Sequence, residues 1–274
     1  MKILGIGNAI MDVICKVDED FLAKNNLSKG NMKLIFDKGE FESLLASLRI
    51  EKTLSGGSVA NSIVGLSQLG NKVGFIGKVS DDEFGKQYEK GLKSENVDYF
   101  YKKKREELPT GTCLILVTPD SERTMCTFLG TAGKINENDV DINAIKKSEM
   151  IFLEGYLWDE GDPKKAFDKA ILNAQKVAMS LSDKFCVDRH KSHFLELVKN
   201  KIDITFANEQ EITSLINAKN FKDVINFSKK TNKLIIITRG IKGAVAVKGE
   251  EVIECDIIKN INVVDLTGAG DLFA

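Results

Sequence analysis

The chain has 274 residues, 43% of them hydrophobic and 29% charged, and 39 Lys+Arg against 40 Asp+Glu leave a net charge of -1. That balance argues against a nucleic-acid or membrane partner, and no apolar run approaches the ~18 residues of a spanning helix. Five scattered cysteines without a C-x-x-C spacing, and only His190 and His193, argue against a disulfide frame, a zinc site or a histidine-rich metal site and for reduced thiols in the cytoplasm.

In chain order, Lys2–Ile6 reads as a buried strand ending in Gly5-Ile6-Gly7-Asn8. Ile10 stands where a dinucleotide fingerprint needs its third glycine, so no Rossmann site follows. Asp12 is expected in a loop or strand edge at the carboxyl end of strand one, as a turn residue or a ligand contact. Lys33–Phe36 reads as a strand and Gly39–Leu48 as a helix. Ser55-Gly56-Gly57-Ser58 then opens a helix with Val59, Ile63 and Leu66 on one side. Asn61 lies one turn in, on another face, where its amide serves either the surface or a sugar hydroxyl.

Val73–Ile76 is a strand, and Asp82-Glu83-Phe84-Gly85 opens a helix carrying Phe84, Tyr88 and Leu92. Thr112–Thr118 and Glu122–Phe128 flank Pro119-Asp120-Ser121 as a hairpin with no helix between its strands. This break in the βαβ rhythm marks a small β lid, built from inserts at about 13–36 and 99–128 of a single domain spanning the chain. Met150–Leu153 resumes the rhythm, Lys164–Ala178 reads as a helix through its alanines, and a strand from Val177 ends near Phe185. Ile202–Ala207 is a strand followed at once by Asn208-Glu209-Gln210-Glu211. Leu234–Thr238 runs into Arg239-Gly240, and Ala244–Val247 with Glu251–Cys255 forms a hairpin. The fold class is therefore α/β, a doubly wound, mostly parallel sheet with a small β-sheet lid.

The last stretch carries the chemistry. Ile261–Val264 reads as a strand end, followed by Asp265-Leu266-Thr267-Gly268-Ala269-Gly270-Asp271. Glycines at a helix start let main-chain N–H groups approach an anion, and Asp271 beside them is either an ordinary first-turn helix acid or a base that takes the proton of an attacking hydroxyl. Asn208 and Glu211 share a helix-start face that suits either a capping box or Mg²⁺ held through water. No P-loop or protein-kinase motif is present.

Gly56-Gly57 with Asn61, Asn208-x-x-Glu211 and Asp265–Asp271 resemble the ribokinase-like (PfkB-type) family of sugar and nucleoside kinases. The likeness is strongest to its adenosine kinase branch, through Gly5–Asn8 with Asp12, Leu181-Ser182 with Phe185, and Ile202–Ile204. The resemblance implies an ATP- and Mg²⁺-dependent kinase acting on a small nucleoside, adenosine first, or on a sugar such as ribose or fructose. The protein is then expected to be cytoplasmic, and a monomer or homodimer. It assigns Asn8, Asp12, Gly56, Gly57 and Asn61 to the acceptor, and Phe185 to stacking near a base. Asn208, Glu211, Thr238 and Gly240 fall to ATP and Mg²⁺, Gly268, Ala269 and Gly270 to the anion hole, and Asp271 to the base. Leu266 replaces the family's small hydroxyl residue, and family members continue beyond the helix that Asp271 opens. The chain is thus expected to be C-terminally incomplete, with an inactive ligand-binding module as the third reading.

Overall fold

Ile3-Leu4-Gly5-Ile6 is apolar without interruption because it lies at the inside of a sheet, paired in parallel with Val73–Ile76 on one side and Met150–Leu153 on the other. The computed structural model describes residues 1–158, 163–259, 261 and 268–274. Residues 262–264 of the expected last strand and the turn residues Asp265, Leu266 and Thr267 lie outside the described residues.

The strands, in chain order, are β1 (Ile3–Ile6), β2 (Ile10–Lys16), β3 (Met32–Ile35), β4 (Ile50–Gly56), β5 (Val73–Ile76), β6 (Val97–Tyr99), β7 (Gly111–Val117) and β8 (Arg123–Phe128). They continue with β9 (Met150–Glu154), β10 (Val177–Ser180), β11 (Ile204–Asn208), β12 (Leu234–Thr238), β13 (Ala244–Lys248) and β14 (Glu251–Cys255). The helices are α1 (Glu19–Lys24), α2 (Lys38–Ala46), α3 (Ser58–Gln68), α4 (Glu83–Ser94), α5 (Ile142–Lys146), α6 (Pro163–Asn173), α7 (Lys184–Asn200), α8 (Glu209–Ile216), α9 (Phe221–Thr231) and α10 (Ala269–Phe273). Among the described residues the larger sheet has nine strands in the order β14-β13-β12-β11-β10-β9-β1-β5-β6. It is parallel from β12 to β6, with β13 and β14 added antiparallel at one edge. The smaller sheet runs β3-β8-β7-β2-β4. No helix among the described residues is long and apolar enough to cross a membrane.

Two apolar cores flank the larger sheet. Phe167 of α6, Phe194 of α7 and Ile212 of α8 pack with Ile151 and Leu153 on one face. On the other, Phe41, Ile63 and Tyr88 from α2, α3 and α4 pack with Met11, Val13, Leu114 and Leu116 of the smaller sheet. The opposite face of the smaller sheet carries Ile10, Cys113 and Ile115, with Ile14, Val117 and Met125 packed around them. Asp12 stands two residues from both Ile10 and Ile14, so it shares that face.

Several expectations shift. Asp12 lies inside β2, paired with Leu54 and Cys113, because the chain enters a second sheet almost immediately after β1. The helix expected to reach Ala178 ends at Asn173; Ala178 belongs to β10, between Phe152 and Ile204. Phe185 does not end a strand. The Asp183 carboxylate accepts from its N–H at 2.5 Å and caps α7 there. β4 also joins the smaller sheet, beside the strands drawn from the two expected inserts.

Close approach fixes the centre. A Cβ on Gly5 would meet Val59 and Ile63 of α3 at 2.6 Å, so α3 lies directly on β1. Gly57 has φ +102°, and a Cβ there would stand 2.1 Å from the Asn8 carbonyl oxygen. Gly57→Ala is therefore expected to lower stability by about 3 kcal/mol through strain alone; urea unfolding would measure it, and an unchanged midpoint would contradict this packing.

Candidate active site

The site begins with a buried acid. Glu154 closes β9 at the carboxyl edge of the larger sheet with no solvent exposure. Its Oε1 accepts the Asn8 N–H at 2.8 Å and its Oε2 accepts the Val59 N–H at 3.0 Å. It thereby joins the segment after β1 to the first turn of α3, whose free N–H groups suit an acid. Burial pushes its carboxyl up to about 7, with the two N–H donors pulling the other way.

That joint holds the Gly56-Gly57 crossing. A Cβ on Gly56 would lie 2.3 Å from Asp12 Oδ2, so only glycine lets the carboxylate rest there. Burial first, and the charge of Asp271 second, push Asp12 up to about 7. Asp271, in the first turn of α10, accepts from Ser58 Oγ at 2.7 Å and from Asn61 Nδ2 at 2.9 Å. Ser62 Oγ donates to the Asp271 carbonyl at 2.5 Å. Asp12, Asn61 and Asp271, far apart in sequence, thus meet at one end of α3. Asn8 lies there too, 5% exposed, and its side-chain oxygen has no hydrogen-bond partner.

A cavity of about 160 Å³ continues along the edge from Asp271 and Gly270 past Ser182 to Asn208, Glu211 and Thr238. Asn208 and Glu211 close a capping box. Asn208 Oδ1 accepts the Glu211 N–H at 2.8 Å, and Glu211 accepts from Asn208 N at 2.9 Å and from Asn208 Nδ2 at 2.6 Å. Burial pushes Glu211 up to about 7. Both Glu211 oxygens are taken, and no group of three or more His, Cys, Asp or Glu suited to a metal assembles among the described residues. Direct chelation by Glu211 does not fit; contact with a hydrated Mg²⁺ does.

Not every expected residue joins. Phe185 is 70% exposed: it lies on the solvent side of the first turn of α7, while Cys186 and Val187 of the same turn are buried. Gly240 begins a short 3-10 turn with φ +58° and is not among the residues lining the cavity. Gly268, at φ +73°, starts α10, and Ala269 and Gly270 form its first turn. Glu154, Ser58, Ser62 and Ser182 had no assigned role in the sequence. For Glu154 the available signal was an acid ending an apolar strand at the edge where ligands collect.

The sequence pattern of the pfkB family of carbohydrate kinases matches residues 2–274. The crystal structure of adenosine kinase from Sinorhizobium meliloti is 36% identical, with TM-score 0.87, covering 99% of this chain and 84% of that one. A structure of a probable sugar kinase protein from Rhizobium etli CFN 42 matches with the same identity, TM-score and coverage. Among curated proteins, adenosine kinase 2 of Arabidopsis thaliana is 25% identical over 99% of this chain and 85% of its own length. A 5-dehydro-2-deoxygluconokinase of Mesomycoplasma hyopneumoniae is also 25% identical, over 89% of this chain and 77% of its own.

The buried acids make two measurable demands on stability. Glu154→Gln leaves one main-chain N–H facing an NH₂ group and is expected to cost about 1–3 kcal/mol, read by denaturant unfolding at pH 8; equal stability would contradict the double acceptor role. Asp12 has its folded pKa raised above the unfolded value, so its contribution to stability is lost as pH rises from about 4 to about 7. Asp12→Asn should therefore gain stability relative to wild type across that window, and a pH-independent difference would contradict it.

Proposed function

Because the chain belongs to the pfkB family of carbohydrate kinases, phosphotransferases acting on hydroxyl groups, we propose that it transfers the γ-phosphoryl group of ATP to the primary hydroxyl of a ribonucleoside, adenosine first. The observation that carries this reading is the meeting of Asp271 with Ser58 and Asn61 beside Asp12. Asp12, Asn8 and Asn61 bind the ribose hydroxyls, and the Gly56-Gly57 crossing lets the sugar lie against main chain. The primary hydroxyl gives its proton to Asp271 as its oxygen bonds to the γ-phosphorus; the bond from that phosphorus to the bridging oxygen breaks, and ADP leaves.

Ser58 and Asn61 orient the Asp271 carboxylate, so positioning supplies much of the rate. Gly268, Ala269 and Gly270 offer main-chain N–H groups to the transferring phosphate. Asn208, Glu211 and Thr238 line the nucleotide side, while Gly240, two residues after Thr238, lies outside the cavity lining. Glu211 would hold a hydrated Mg²⁺ through water, and the ion would supply charge neutralisation on the phosphates. The smaller sheet serves as a lid, and its apolar face around Asp12, with Ile10, Cys113 and Ile115, takes over the base contact first expected of Phe185. A sugar kinase is the second reading, favoured by the probable sugar kinase that is as similar as the adenosine kinase.

ADP release with adenosine, ribose and fructose as acceptors would separate the two readings. Adenosine is expected to give the highest kcat/KM; no turnover of any hydroxyl acceptor would refute both. Asp271→Asn should lower kcat by about 10³-fold or more while acceptor binding persists.

A further inference from the structure

Tyr88 of α4 is wholly buried, yet its side chain ends in a polar group aimed at the site. Its hydroxyl donates to the Gly56 carbonyl at 3.0 Å. One turn of α4 holds the end of β4 at successive points: Ser55 Oγ donates to the Tyr88 carbonyl at 3.0 Å, and Thr53 Oγ1 to Gln87 Oε1 at 3.0 Å. Gly91 keeps this contact open, since a Cβ there would stand 2.1 Å from Ser55 Oγ. The ring is wedged between Phe75 and Tyr99, with centroids at 6.3 and 6.2 Å. Its oxygen therefore has a fixed position.

Gly56 is confined from two directions: its carbonyl accepts from Tyr88, and the Asp12 carboxylate fills the space that a side chain would take. The next residue, Gly57, starts α3 in a backbone conformation that side chains avoid, and Ser58 and Asn61 follow it. A phenylalanine would fill the same volume, so the hydroxyl adds direction to the packing.

We propose that Tyr88 is a positioning residue for the acceptor substrate: its O–H fixes the Gly56 carbonyl and so sets Gly57, Ser58 and Asn61 against Asp12. It touches no reacting atom and acts through the glycine crossing. The inference rests on the reading of this site as a hydroxyl-phosphorylating one.

Tyr88→Phe in the full chain tests it, with Tyr99→Phe as the control. The Tyr99 hydroxyl is also held inside the fold, donating to the Gly77 carbonyl at 2.6 Å, away from Gly56. Tyr88→Phe is expected to raise the KM for adenosine about fivefold and leave the KM for ATP within about twofold. Tyr99→Phe should leave both unchanged. Amide hydrogen exchange of the unliganded protein should accelerate across residues 54–60 in Tyr88→Phe and stay unchanged in β9 and β11. An unchanged adenosine KM in an active enzyme overturns the proposal. Equal effects of the two variants on adenosine KM, tracking a lowered unfolding midpoint, overturn it as well, since that is general loosening. If the wild type phosphorylates no acceptor, the functional reading fails and the acceptor role of Tyr88 with it; faster exchange at 54–60 then upholds only that the O–H fixes the glycine crossing, and unchanged exchange overturns that as well.

Discussion

The two hydrogen bonds that Glu154 accepts are the constraint on which the rest of the site depends. A carboxylate without solvent exposure is costly unless its oxygens are satisfied, and here main-chain N–H groups from Asn8 and Val59 satisfy them. The effect is mechanical as well as electrostatic. Three elements that share no covalent neighbourhood, the exit of β1, the start of α3 and the end of β9, are fixed to one functional group. Gly7 has no Cβ because that carboxylate occupies the space, 2.7 Å from where the atom would be. The same rule then repeats outward. Gly5 admits α3, Gly57 admits the Asn8 carbonyl and Gly56 admits Asp12.

Close packing of acids follows from this crowding. Asp12 and Glu154 are both raised by burial, and Asp271 adds its charge to each. An arrangement of this kind works against stability at neutral pH, and perturbed carboxyls gathered in a cleft are a recognised sign of a functional site. Ser58 and Asn61 counter part of the crowding by donating to Asp271. The nucleotide side is organised differently. The Asn208–Glu211 box is closed on itself, so the helix cap and the expected ligand role use the same atoms.

How legible this was depended on whether a feature is local. The capping box, the β7–β8 hairpin and the alternation of strands and helices are each written within a few residues, and the spacing displays them. Gly56-Gly57, Asn61 and Asp271 stand out only in combination, since a first-turn acid or a helix asparagine taken alone reads equally well as a helix-end or surface residue. Glu154 did not, since its partners are main-chain groups 146 and 95 residues away and no side-chain pattern encodes them. Alanines at four-residue steps run past the end of α6 into β10, and only the pairing of Ala178 with its neighbours identifies the strand. The resemblance assigns Phe185 to the base, yet its place in the capped first turn of α7 leaves the ring exposed.

The bond between Asn61 and Asp271 joins residues 210 apart. β1 likewise waits for β9, whose first residue, Met150, pairs with Ile3. On a ribosome adding ~5–20 residues per second, the first strand stays without one neighbour for many seconds, and the Asn61 amide waits longer still for Asp271. Such long-range closure is slow compared with helix formation. The N-terminal segment thus emerges before the partners that fix its first strand and its Asn61 amide, so these contacts form late in synthesis.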